Sequence, residues 1–550
     1  MAIPPETVAS VHHCDGPSHG GLLRWSERVR VAVAASAMLW LATTTATAEP
    51  HRGGTLSFLV EPEPPALSTL AHTAGPSTKV SAKVQEGLLT YDHDLTPKPQ
   101  LATAWSISPD GLRYTFTLRD GVNWHDGVPF TSADVAASIR LLQQYHPRGR
   151  GTFANVVDIE TPDRLTAVIV LSRPAPYLIS AFAGSESPIV PKHVYEGSDP
   201  AANPRVNAPI GTGPFVFKEW VRGSHVIYER NPDYWDKPKP YLDRLVVRFI
   251  PDAAARTAAF ESGTVDLGGE SPVPLSEVER LKTDERIGIE TAGYTYSPSV
   301  QRIEFNLDNP YLRDLRVRQA FAAAIDRKVI LNTVWYGFGV VSPTPISPSL
   351  ARFYDPSVPA IPFDPKRAEA LLDEAGFKRG PDGVRFRLVH DFLPYGDGYR
   401  RTADYLRQAL GRVGIAVTIR SQDFATYIKR VYTDRNFDFT NNSMGNTFDP
   451  TVGVQRLYWS KNFKRGVPFS NGSGYRNPEV DALLEAATVE TDPAKRVEEF
   501  SRFQQIIARD LPDLTLLTLE NLTIYNRRVH DHTVGADGLN GNLADAWIGQ

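Results

Sequence analysis

The chain has 550 residues, 41% hydrophobic and 22% charged, with 59 basic and 63 acidic side chains interleaved to a net charge of -4. That length exceeds what one hydrophobic core usually fills, so at least two domains are expected. The balanced charge excludes the footprint of a nucleic-acid or anionic-membrane binder.

Arg24, Arg28 and Arg30 precede the apolar run VAVAASAMLWLA, and Ala46-Thr47-Ala48 offers small residues to a signal peptidase. Residues 1–48 therefore read as an N-terminal tail and cleaved secretory signal. An uncleaved anchor helix is the alternative, but the threonines at 43–47 make a poor membrane end. The sole cysteine, Cys14, lies upstream of the apolar run, which argues against a lipid anchor and leaves the mature chain without disulfides.

From Gly53 the sequence alternates strand, turn and helix signals without repeats. TLSFLV reads as a strand, a Pro-rich loop follows, and a helical pattern covers residues 80–88. Alternation at Tyr114, Phe116 and Leu118 is a strand, and a helix opens at Thr131-Ser132 with Val135, Ile139 and Leu142 on one face. In the second half, Val317, Ala320, Phe321, Ala324, Ile325 and Val329 share a helical face. Asp364-Pro365 opens the next helix and Gly376 ends it. VRFRLV, TADYLRQALGRVG and IAVTI then run strand, helix, strand, which implies parallel pairing with a right-handed crossover. Asn477-Pro478 and Asp492-Pro493 start two more helices, and after Pro512 the segments LTLLTL and LTIYN form a strand pair returning to the first sheet. Two lobes joined by crossing strands leave a cleft at the joint.

No nucleophile elbow, zinc-protease helix or phosphate loop occurs, and no catalytic residue is assigned. GTGPFV at 211–216 lacks the third glycine of a dinucleotide loop and continues as a strand, so it reads as a structural turn. His530 and His532 share one side of a strand, but no third ligand is visible and no metal or cofactor is expected. Paired carboxylates for glycoside hydrolysis, which can lie far apart in sequence, stay open.

Several segments together resemble the family 5 extracellular solute-binding proteins, the dipeptide, oligopeptide and nickel receptors of ABC importers. They are VQEGLLTYDHDLTPKPQLATAWSISPDGLRYTFTLRDGVNWHDGVPFTSADV at 84–135, PIGTGPFVFKEW, NPDYW, and FNLDNPYLRDLRVRQAFAAAIDR at 305–327. The resemblance implies an α/β, two-lobed periplasmic-binding-protein-like fold of type II. Lobe I would span 52–300, with an extra subdomain at about 86–204. Lobe II would span 301–515, and 516–550 would return to lobe I. It further implies a monomeric periplasmic receptor, without enzymatic activity, that hands a small peptide or peptide-like solute to an inner-membrane ABC permease. The alternatives are a non-peptide solute (opine, oligosaccharide, metal chelate) or a secreted hydrolase.

The resemblance also places the ligand reader. In dipeptide receptors of this family an acid ahead of an Asp-Pro turn binds the ammonium and an arginine before Pro-Tyr binds the carboxylate. The matching positions here are Asn446 in SMGNTFDP and Leu393 before Pro394-Tyr395. Losing two charge-assisted hydrogen bonds of about 1.5–3 kcal/mol each weakens a zwitterionic dipeptide by roughly a hundred- to ten-thousandfold. The expected contacts are Ser443, Met444, Gly445 and Asn446, then Leu393 and Tyr395, with Gly75 and Ser77 from the Pro-rich loop. Asn446→Ala is expected to weaken the ligand at least tenfold without unfolding the protein. Alternatively Asn446 caps a turn and Met444 fills core. Asp391, Asp449 and Arg400 are candidates to replace the missing charges.

Overall fold

Many helix starts in this chain are written by short polar side chains, several of them followed by proline at the first turn. In the computed structural model, which describes residues 49–549, Asp364, Asn477 and Asp492 accept backbone N–H bonds at the starts of helices Pro365–Glu374, Pro478–Val489 and Pro493–Asp510. Thr131 and Asp134 close a capping box on helix Ser132–Tyr145. The expected signal segment and Cys14 lie outside the described residues. Among the described residues no helix is long and apolar enough to cross a membrane.

Two large sheets organise the two lobes. The first has seven strands, in the order Ile287–Glu290, Thr523–Asn526, Leu267–Gly268, Thr55–Leu59, Arg244–Arg248, His225–Arg230 and Phe215–Val221. The second has six, in the order Gly339–Val341, Asp513–Leu519, Ser299–Phe305, Phe439–Gly445, Phe386–Phe392 and Ile415–Arg420. Phe386–Phe392 pairs parallel with both Ile415–Arg420 and Phe439–Gly445, and helix Asp397–Arg412 makes the crossover. A separate four-stranded sheet, Ala102–Ile107, Arg113–Leu118, Thr166–Leu171 and Val156–Asp163, packs on helix Ser132–Tyr145 and forms a subdomain of the first lobe.

Two readings of the sequence change. The C-terminal strands do not return to the first sheet as a pair: only Thr523–Asn526 does, while Asp513–Leu519 pairs with Ser299–Phe305 and Gly339–Val341 in the second. The physical reason is that its residues are buried on both faces from Asp513 to Thr518, which suits an interior strand. The lobes are therefore joined by residues 291–298 and 520–522. The helical pattern at 80–88 is also displaced. The helix is Gly75–Ser81, and the chain beyond it lies too close to other backbone to continue helical. A Cβ on Gly87 would fall 2.1 Å from the Phe182 carbonyl oxygen, and one on Gly211 would fall 1.7 Å from that of Val84. Gly211 is thus needed for close packing of the turn that leads into strand Phe215–Val221.

Candidate functional site

The crossing segments, the loop after strand Phe439–Gly445, and three segments of the first lobe converge on a cavity of about 150 Å³ at the joint. Tyr294, Tyr296 and Ser297 come from the first crossing and Asn521 from the second. Thr447 and Phe448 come from the second lobe, while Thr73, Gly75, Glu270 and Asp537 come from the first. Arg148, Ser185 and Glu186 add a wall from the subdomain side.

The second-lobe wall is held by a strained turn. Thr447 has φ +49°, a left-handed conformation that a β-branched residue rarely adopts, and its hydroxyl bonds the Asn446 carbonyl at 2.8 Å. Asp449 then caps the short helix Pro450–Gly453 and is gripped by both Nη atoms of Arg496, at 2.7 and 2.9 Å. Phe448, so presented, packs on Tyr296 with ring centroids 4.9 Å apart, and Tyr296 packs on Tyr91 at 5.3 Å. Beyond Phe448 lies a larger cavity of about 750 Å³ between subdomain and second lobe, with Tyr114, Ile179, Leu350, Phe353 and Arg352 on its walls.

Charges on the joint cavity are mostly paired. Arg148 grips Glu186 through Nε at 2.9 and 3.0 Å; burial pushes this carboxyl up, but the Arg148 charge and hydrogen bonds outweigh it and hold it below the usual range. Lys79 pairs with Glu270 at 2.6 Å. Tyr294 accepts a hydrogen bond from the Glu270 N–H at 2.8 Å, and its hydroxyl lies 2.8 Å from that of Thr523.

Of the residues expected from the sequence, only Gly75 lines this cavity. Met444 is 3% exposed and packs with Leu457, Phe500 and Phe503 in the core of the second lobe. Asn446 is buried with its amide fully used: Oδ1 accepts from the Ser347 N–H at 2.6 Å and Nδ2 donates to the Pro345 carbonyl at 3.0 Å. With these partners Asn446 serves the turn and Met444 the core, and neither side chain lines the cavity. Ser77 is buried and donates to the Ala66 carbonyl at 2.7 Å, and Leu393 is buried among Phe392, Tyr399 and Tyr427. The Ser443 hydroxyl is paired with that of Tyr399, and the Gly445 backbone is a strand partner of Ser299. Tyr395 is 60% exposed and stacks on Phe424 at 5.1 Å, away from both cavities.

None of the three candidate replacement charges is free. Asp391 is buried under Arg420, at 2.6 and 3.1 Å, and Gln422; Asp449 serves Arg496; and Arg400 is an exposed partner of Asp397. His530 stacks on Trp547 and His532 lies 3.4 Å from Glu290; among the described residues no group of three or more His, Cys, Asp or Glu is placed to hold a metal. The Asn446 geometry sets a prediction. Asn446→Ala leaves a buried N–H and carbonyl unpaired and is expected to cost about 1–3 kcal/mol in urea unfolding, rather than acting on the ligand alone. An unchanged midpoint contradicts the bridging role.

The family model for bacterial extracellular solute-binding proteins, family 5 (middle), matches residues 96–465. An ABC transporter peptide-binding protein of Brucella ovis is 31% identical over 444 residues, covering 78% of this chain and 80% of that protein. AppA from Bacillus subtilis, solved with a nonapeptide, superposes with a TM-score of 0.77 at 25% identity over 91% of this chain and all 100% of that one. NikZ from Campylobacter jejuni, solved with Ni(L-His), gives 0.76 at 26% identity over 88% and 97%. With the family model matched across the subdomain, the first crossing segment and most of the second lobe, and the two-lobed fold shared, this chain belongs to the family 5 bacterial extracellular solute-binding proteins.

Proposed function

We propose that the protein is the periplasmic receptor of an ABC importer, which captures a peptide or peptide-like solute in the joint cavity and delivers it to an inner-membrane permease. One observation carries this reading: both lobes and both crossing segments wall the same cavity. A solute filling it touches both lobes at once, so it binds the closed arrangement better than the open one and drives closure. The larger cavity beyond Phe448 offers room for a ligand longer than a dipeptide. The peptide-binding relative and the nonapeptide complex of AppA support the peptide class.

A second reading, a non-peptide solute on the same scaffold, is favoured by the similarity to the nickel–histidine complex of NikZ. The hydrolase reading has less support, because of the three carboxylates lining the cavity Glu186 and Glu270 are each engaged by a cation and only Asp537 has no cationic partner within salt-bridge distance. The receptor is taken to act as a monomer without turnover. Mass spectrometry of the solute that copurifies with the mature protein tests the assignment. A peptide or peptide-like amide is expected; an opine, sugar or metal chelate moves the assignment to the second reading.

A further inference from the structure

Three carboxylates and one guanidinium line the joint cavity. Arg148 neutralises Glu186 and Lys79 neutralises Glu270. Asp537 is different. It sits in the C-terminal turn TVGADGLNGN of the first lobe, and its carboxylate accepts one side-chain hydrogen bond, from the Ser185 hydroxyl to Oδ2 at 2.6 Å. No salt bridge reaches it among the described residues. The nearby Lys83 ammonium is occupied elsewhere, donating to the Leu539 carbonyl at 2.6 Å and to the Gly541 carbonyl. Lys83 thus ties down the turn that carries Asp537. The cavity keeps one carboxylate without a salt-bridge partner, and Tyr294, Tyr296 and Phe448 add aromatic groups to its lining.

We propose that Asp537 is the specificity-determining residue of the receptor and selects a solute carrying a primary ammonium, which takes a charge-assisted hydrogen bond on the open Oδ1. The inference rests on the joint cavity being the ligand site. It moves the reading of the ligand's positive charge to the first lobe, since Asn446 in the second lobe is neutral and internally bonded.

The groups facing Asp537 set the pH response. Burial pushes the Asp537 carboxyl up to about 6, against the Ser185 hydrogen bond and the Lys83 charge. Burial pushes Lys83 down to about 7, opposed by Asp537. Glu186 is held ionised by Arg148, burial keeps Tyr91 and Tyr296 neutral, and burial pushes His146, beside Glu186, down to about 4. Lowering the pH from about 8 to about 5 therefore protonates Asp537 and Lys83, and both changes disfavour a bound cation. Asp537 alone, about one-tenth ionised at the lower pH, accounts for roughly a tenfold loss of affinity.

The test exposes the mature protein to a mixed tetrapeptide library in free and N-acetylated forms and reads the retained peptides by mass spectrometry. Retention is expected from the free-amine library only, about tenfold weaker at about pH 5 than at about pH 8. Asp537→Asn keeps the Ser185 hydrogen bond and is expected to retain at least tenfold less with an unchanged melting temperature or a higher one, while Asp537→Glu recovers part of the retention. Equal retention of both libraries, or an Asp537→Asn variant that retains peptides like the parent, overturns the role of Asp537 and leaves the peptide reading standing. Retention of neither library overturns the peptide reading and this inference with it.

Discussion

Replacing Arg302 by alanine is expected to lower the stability of the protein by about 3–5 kcal/mol in chemical denaturation. Arg302, Glu304 and Asp513 are all within 3% of complete burial, on adjacent strands at the centre of the second sheet. Nη1 of Arg302 lies 2.5 Å from Asp513 Oδ2 and Nη2 lies 3.2 Å from Glu304 Oε2. Tyr458 donates to Asp513 at 2.7 Å and Asn442 donates to Glu304 at 2.9 Å. Without the guanidinium, two buried carboxylates face each other uncompensated. Burial already pushes Asp513 up in spite of Arg302. A carboxyl whose folded pKa is raised costs stability above its unfolded pKa, and the cost fades as the pH falls. The deficit of the variant is therefore expected to be largest near neutrality and to shrink under mild acid. A loss below about 1 kcal/mol at neutral pH contradicts this account of the cluster.

Arg496→Ala is expected to have an effect of the same size, about 3–5 kcal/mol, with a consequence for binding as well. Arg496 and Asp449 are each about 4% exposed in their side chains, and the guanidinium also bonds the Ala487 carbonyl at 2.7 Å and the Thr451 hydroxyl at 2.7 Å. It therefore holds helix Pro493–Asp510 to the turn that carries Thr447 and Phe448. The variant strands a buried carboxylate next to the wall shared by both cavities. Urea unfolding read by tryptophan fluorescence checks the stability term. A variant as stable as the parent means that the turn is held by Gly453, on which a Cβ would lie 1.6 Å from the Asn446 carbonyl oxygen, and not by the ion pair.

The elements with strong local signals were legible in the sequence. The Asp-Pro and Asn-Pro helix starts, the capping box at Thr131, and the parallel unit through residues 386–420 follow from capping and periodicity. The course of Asp513–Leu519 was not legible, because an apolar run suits either sheet and only pairing partners decide. The loop after strand Phe439–Gly445 reaches the cavity, but through Thr447 and Phe448. Family resemblance pointed to Met444 and Asn446, whereas burial turns both inward and the left-handed Thr447 presents Phe448 instead. Asp537 carried a weak signal, an acid between small residues in a glycine-rich turn, and its meaning depends on Ser185 and Lys83, which are remote in sequence and adjacent in space.

The central claim is that the solute occupies the joint cavity. The most direct measurement is native mass spectrometry of the mature protein and of Thr73→Trp, purified side by side, with the bound small molecule quantified after denaturation. Thr73 is a partly exposed loop residue on the cavity wall, so the indole fills the space without entering a core. The parent is expected to carry a solute that the variant loses while keeping the melting temperature of the solute-free parent. The same solute at the same occupancy in Thr73→Trp would contradict the claim.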